Sequence, residues 1–240
     1  MAVLEIKHLT KIYKGNKKAV DDFSLTVESG DIYGFIGHNG AGKTTTIKAI
    51  AGILNFNEGD VIINGHSIKT NPLDCKRDLA YIPDNPDLYE HLTGIQYLNF
   101  IADVFDIDTS TRKTQIHKYA QAFDLSPALG NLISSYSHGM KQKLALISGL
   151  IHSPRLLLLD EPFVGLDPEA SITLKKIMRE LCDNGSAIFF STHVLDVAEK
   201  LCNKVAIIKN GRLLESGDMD KLIKNQSLES LYIEVEDNEK

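Results

Sequence analysis

Apolar and polar positions follow two periods along this chain. Residues 3–9 and 19–27 mix β-branched and aromatic side chains with polar ones, which predicts two strands. Residues 32–37 form a short apolar run ending in glycine, which predicts a buried strand. Ile47, Ile50, Ala51 and Leu54 then fall at helical spacing. Glu58-Gly59 and Asn64-Gly65 bracket a predicted strand at 61–63, and 79–82 predicts another. From Thr93 to about Leu132 the spacing is helical, with Tyr97, Leu98, Ile101, Val104 and Phe105 on one face. Leucines fill 156–159, a fully apolar strand, and Ala170, Leu174, Ile177, Met178 and Leu181 make a helical stripe. Residues 187–190 and 205–208 supply two more strands with a helix between them. Strands alternating with helices predict an α/β fold whose mainly parallel sheet is covered on both faces. A small helical subdomain, about 93–153, interrupts it. The last stretch, about 217–240, reads as a short acidic tail without a motif.

Composition narrows the class. A length of 240 residues suits a single α/β domain over 1–240. Hydrophobic residues at 43% and charged ones at 24% are those of a globular protein. No apolar run approaches the roughly 20 residues that span a bilayer. Glu5, Lys7 and Lys11 leave no apolar stretch for a secretory leader near the start. Cys75, Cys182 and Cys202 lack metal-ligand spacing and read as reduced, buried thiols. A net charge of −6 argues against broad binding to nucleic acid or anionic lipid. No nucleic-acid partner is expected. Membrane contact is expected only at the cytoplasmic face, through a protein partner.

The chemistry lies in two places. Gly37-His38-Asn39-Gly40-Ala41-Gly42-Lys43-Thr44 matches the phosphate-loop pattern G-x-x-x-x-G-K-[ST], between a predicted strand and a predicted helix. Its glycines let backbone N–H groups turn towards phosphate oxygens, and the helix N-terminus favours an anion. Lys43 is expected on the β- and γ-phosphates and Thr44 on Mg²⁺, with Thr45 in the same nucleotide-binding stretch. The motif alone separates neither ATP from GTP nor a kinase from a motor. Further on, Asp160-Glu161-Pro162 closes the leucine strand. Strand C-termini are where α/β sheets hold ligands. Asp160 is expected to support Mg²⁺, and Glu161 to orient and deprotonate an attacking water.

Tyr136-Ser137-His138-Gly139-Met140-Lys141-Gln142 resembles the signature of ATP-binding cassette (ABC) ATPases, usually Leu-Ser-Gly-Gly-Gln followed by a basic residue and Gln. Tyr136, His138 and Met140 depart from that pattern, whereas Ser137 and Gly139 keep it. Other segments are similar to family elements in order: Phe163 to Pro168 to the D-loop, with Asp167 crossing a dimer interface, and Ser191-Thr192-His193 to the switch histidine. Tyr13 resembles the aromatic that stacks on adenine. The resemblance implies a P-loop NTPase core with an antiparallel β subdomain and an inserted helical subdomain. It implies ATP and Mg²⁺ as ligands. It also implies a homodimer, or a pair of ABC ATPase subunits, on a multi-span permease. Ser137 and Gly139 would act on ATP held by the other subunit. In the family a glutamine usually follows Tyr81-Ile82-Pro83; here the residue is Asp84, shorter and charged, a weaker candidate beside Mg²⁺. The segment from Asp84 to Gly94 together with the signature is similar to bacterial subunits serving separate export permeases. A non-transport ABC ATPase of translation or DNA maintenance is the alternative, disfavoured by a single cassette and no long insertion. An unrelated P-loop kinase would need neither the signature helix nor Ser-Thr-His.

Overall fold

The computed structural model describes residues 1–224 and 226–237. In chain order the elements are β1 (Ala2–Tyr13), β2 (Lys17–Glu28), β3 (Ile32–Ile36), α1 (Lys43–Ile50), β4 (Glu58–Ile63), β5 (His66–Ser67), α2 (Pro72–Asp78) and β6 (Leu79–Ile82). There follow α3 (Gly94–Val104), α4 (Thr109–Ala122), α5 (His138–Leu150), β7 (Leu156–Asp160), α6 (Pro168–Asp183), β8 (Ala187–Thr192), α7 (Leu195–Leu201), β9 (Lys204–Lys209), β10 (Arg212–Asp218), α8 (Met219–Ile223) and α9 (Leu228–Asp237).

Two sheets result. One is antiparallel, in the order β2-β1-β4-β5. Its β4–β5 hairpin turns on Asn64-Gly65, both with positive φ (48° and 84°), the geometry a tight right-twisted hairpin demands. The other runs β10-β9-β3-β8-β7-β6. Within it β9, β3, β8, β7 and β6 are parallel, and β10 closes the edge antiparallel. Every residue of β3, β7 and β8 is buried, as a strand covered on both faces requires.

Two apolar clusters sandwich that sheet. One joins it to α1 and the antiparallel sheet, where the Phe23, Phe35 and Phe189 rings meet at centroid distances of 5.4 and 5.0 Å. The other joins its opposite face to residues of α3 to α7 and α9. Register places Ile36 beside Thr192 and Asp160 beside Ser191, so three neighbouring strands end together. Their shared C-terminal edge positions the site.

The helical stretch expected from Thr93 to Leu132 is broken. Asp106 takes a left-handed φ of 53°, and the Asp108 carboxylate accepts the N–H groups of Ser110 and Thr111 to start α4. Val104 is 60% exposed instead of joining the buried face. Phe105 leaves the helical path and stacks on His152, ring centroids 3.8 Å apart. The first helix also ends sooner than the stripe suggested. It stops at Ile50, with Gly52 at φ 66°, and Leu54 lies beyond it. The acidic tail is helical over much of its described part. Met219, Leu228 and Leu231 are buried, and the Leu228 N–H donates to Glu199 at 2.8 Å. Asn225 and residues 238–240 of that tail lie outside the described residues. The three cysteines are free and buried, and burial pushes the Cys182 thiol up to about 12.

Candidate nucleotide-binding site

The loop after β3 is shaped by neighbours that exclude side chains. A Cβ on Gly37 would lie 2.5 Å from the Ile208 carbonyl oxygen. Gly42 has φ 114°, and its Cβ would lie 2.4 Å from the Ala19 carbonyl. Only glycine fits either position. The Asn210-Gly211 turn braces the loop from behind: Gly211 N–H donates to Ala41 at 2.8 Å, and Asp21 N–H to Gly211 at 2.9 Å. Lys43 opens α1 and is 7% exposed. Its ammonium donates to the carbonyls of Gly37 (2.6 Å) and His38 (3.2 Å). Burial lowers its pKa, opposed by the charges of Glu161 and Asp160.

Beneath the loop lie the two carboxylates. Asp160 is buried, and its Oδ1 accepts the Ser191 hydroxyl at 2.5 Å. The same hydroxyl accepts the Glu161 N–H at 3.0 Å. Glu161 sits at φ 48°, a left-handed conformation that costs a non-glycine residue about 1–2 kcal/mol. That turn brings its carboxylate to Lys43 and His193. One oxygen lies 3.7 Å from Lys43 Nζ and the other 3.0 Å from His193 Nδ1. Asp160 and the Thr44 hydroxyl offer hard oxygen donors. Among the described residues no cluster of three or more His, Cys, Asp or Glu could cage a metal. One carboxylate and one hydroxyl beside a phosphate cradle fit Mg²⁺, which keeps waters and shares phosphate oxygens.

Lys43, Thr44 and Glu161 open onto a cleft of about 580 Å³, the size of a nucleotide pocket, whereas Gly37, His38, Ala41, Asp160 and His193 lie outside its lining. Tyr13, Asn39, Gly40, Gly42, Lys43, Thr44, Thr45, Asp84 and Glu161 all line it. Tyr13 stands half-exposed on β1, with the Lys11 ammonium 5.2 Å from its ring centroid. Asp84 reaches the cleft, but its Oδ1 also accepts the Asn85 N–H at 2.8 Å, partly folding the carboxylate onto its own turn.

Ser137 and Gly139 do not line this cleft. Ser137 is exposed at the start of α5 and caps it, accepting the Met140 N–H at 3.3 Å. Gly139 leans on the 163–167 segment: a Cβ there would lie 3.1 Å from the Gly165 carbonyl. Within this chain Asp167 caps α6 through the Ala170 N–H (2.8 Å) and pairs with Lys143 (2.7 Å). The phosphate loop and the signature segment are thus separate surfaces of one chain. Lys17, Lys18, Ala19, Asn210 and Gly211 also line the cleft, though no sequence motif singles them out as site residues. The Asn-Gly pair was a readable hairpin signal. Ser191 was seen only as part of the motif around His193.

A glycine-built phosphate loop at a sheet's C-terminal edge, with buried Lys43 and two acids on the next strand but one, defines a P-loop nucleotide-binding domain. The comparisons narrow this. The ABC transporter family model matches residues 20–164. The chain is 33% identical to the ABC-type transporter ATP-binding protein EcsA of Bacillus subtilis (strain 168), over 98% of this chain and 97% of that one. It is 30% identical to the lipopolysaccharide export system ATP-binding protein LptB of Escherichia coli (strain K12), covering 97% and 98%. A solved structure of an ATP-binding subunit of an ABC transporter superimposes with a TM-score of 0.93 at 34% identity, covering 98% of this chain and 99% of that one. The chain belongs to the ABC transporter family, as an ATP-binding subunit with an ATPase domain. No helix among the described residues is long and apolar enough to cross a membrane.

Proposed function

We propose that two copies of this chain, or this chain and a paired ABC ATPase subunit, hydrolyse Mg²⁺·ATP at their shared face and so drive a separate multi-span permease. The observation that carries the reading is the Glu161 carboxylate, turned onto the phosphate loop between Lys43 and His193. In each site Tyr13 stacks on the adenine. The backbone of residues 37–45 and Lys43 bind the phosphates, and Thr44 and Asp160, with Asp84 nearby, would hold the cation. The cation neutralises phosphate charge when bound. Glu161 takes the proton of the attacking water, and His193 holds Glu161 and the γ-phosphate in register. Ser137 and Gly139 of the other copy close the site, since neither reaches the cleft of its own chain.

The whole chain acts as one ATPase unit. Its helical subdomain, about 93–153, carries the signature segment at the start of α5. Closure of the pair moves the permease, and loss of the γ-phosphate reopens it. Export is favoured over import by the likeness of the 84–94 segment and the signature to export-type subunits, and by the export system that one relative's name states. The seat is the cytoplasmic face of the membrane. Affinity capture of the chain from detergent-solubilised membranes tests the partnership. A multi-span membrane protein is expected in stoichiometric amount. Capture with ribosomes or DNA-bound proteins instead would overturn it.

A further inference from the structure

Ser191 has no role in the proposed mechanism, yet it bonds the Asp160 carboxylate and the Glu161 backbone. It is fully buried near the end of β8, and strand register sets it directly beside Asp160. Its one hydroxyl works in both directions, donating to Asp160 Oδ1 at 2.5 Å and accepting the Glu161 N–H at 3.0 Å. A hydroxyl has one proton and two lone pairs, so this arrangement uses its donor and leaves a lone pair spare.

The consequences differ for the two acids. Asp160 has one oxygen engaged by Ser191, which restrains the carboxylate's rotation and would leave the second oxygen for a cation. Glu161 stands in the left-handed region at φ 48°, where a non-glycine residue needs its surroundings to hold it. The bond from its N–H supplies that hold. Relaxation of the turn to an ordinary φ would swing the carboxylate away from His193 and Lys43. We infer that Ser191 is a positioning residue for ATP hydrolysis, locking the cation-facing acid and the water-activating acid into one register. This rests on the assignment of Glu161 as base, and it adds a residue that touches neither nucleotide nor water.

The test compares Ser191→Ala, Ser191→Thr and Glu161→Gln in the full chain. Ser191→Ala is expected to lower ATP turnover by about 10- to 100-fold, within the range of a misplaced general base. Metal-free ATP binds the loop and Lys43, which Ser191 does not touch, so its calorimetric Kd in chelator should stay within about twofold. The affinity gained on adding Mg²⁺ should shrink, and half-saturation of turnover should need several-fold more Mg²⁺. Ser191→Thr keeps the hydroxyl and should recover most of the turnover. A Ser191→Ala chain with near-native turnover and unchanged Mg²⁺ dependence would overturn the inference. So would a loss of metal-free ATP affinity in step with turnover, which would mean a damaged cradle. If Glu161→Gln abolishes turnover while Ser191→Ala does not, only the role of Ser191 fails. If Glu161→Gln keeps turnover, the assignment of the base fails and that of Ser191 falls with it.

Discussion

Replacing Glu161 with glutamine is expected to cut ATP turnover by between about 100- and 10,000-fold, the span that a positioned general base contributes. The amide keeps the size and shape of the side chain and cannot take a proton. Its carbonyl oxygen can still face Lys43 or His193, so the left-handed turn and the neighbouring contacts persist. ATP binding should therefore change by no more than about threefold, because no phosphate contact is lost and one negative charge leaves the cleft. Steady-state phosphate release, measured with the permease present, together with calorimetric titration of ATP, separates the two quantities. Turnover near that of the native chain would remove Glu161 from the role of base.

The second large effect concerns binding. Lys43→Ala removes the one buried ammonium at the loop, where charge-assisted contacts of about 1.5–3 kcal/mol are made. ATP affinity should fall by roughly 10- to 150-fold. The upper end is favoured because Glu161 and Asp160 would then face the triphosphate without a counter-charge. The unliganded fold should not suffer. Burial depresses the Lys43 pKa, so below its unfolded value the protonated ammonium is less favourable in the folded chain than in the unfolded one. The gain from its removal is offset by the lost hydrogen bonds to the Gly37 and His38 carbonyls, so the thermal midpoint without nucleotide should move little. Unchanged ATP affinity would contradict the phosphate-loop assignment.

Much of this site was legible as residues with fixed spacing. The phosphate loop, the acid pair after four leucines and the histidine after β8 are local in sequence, because each turn's backbone geometry dictates its own residues. Two kinds of feature were not legible. Contacts that depend on strand register, such as Ser191 on Asp160, join residues 31 apart and need the parallel sheet to be built first. Packing contributions from short helices also escaped. The α9 residues Leu228 and Leu231 enter the core from an acidic stretch in which the sequence shows no motif. The break between α3 and α4 shows a third case. A single left-handed Asp106 and an Asp108 cap outweighed an apolar spacing that continued through Val104 and Phe105. The same spacing rules served well where no cap intervened: Ala170, Leu174, Ile177 and Met178 on α6 are all buried.

The shared site is the step on which the proposed mechanism turns. In that mechanism a chain alone offers two half-sites, the cleft at Lys43 and the exposed N-terminus of α5 at Ser137. On this proposal ATP bridges them through its γ-phosphate, and hydrolysis removes that bridge. Glu161→Gln arrests the chemistry after binding, so it should hold the bridge in place. Light scattering on purified Glu161→Gln, alone and combined with Ser137→Arg, measures this directly. A dimer is expected for Glu161→Gln with ATP and Mg²⁺, a monomer with ADP, and a monomer under both conditions once Ser137→Arg fills the phosphate position. A dimer that persists with Ser137→Arg and ATP would contradict a site shared between two copies.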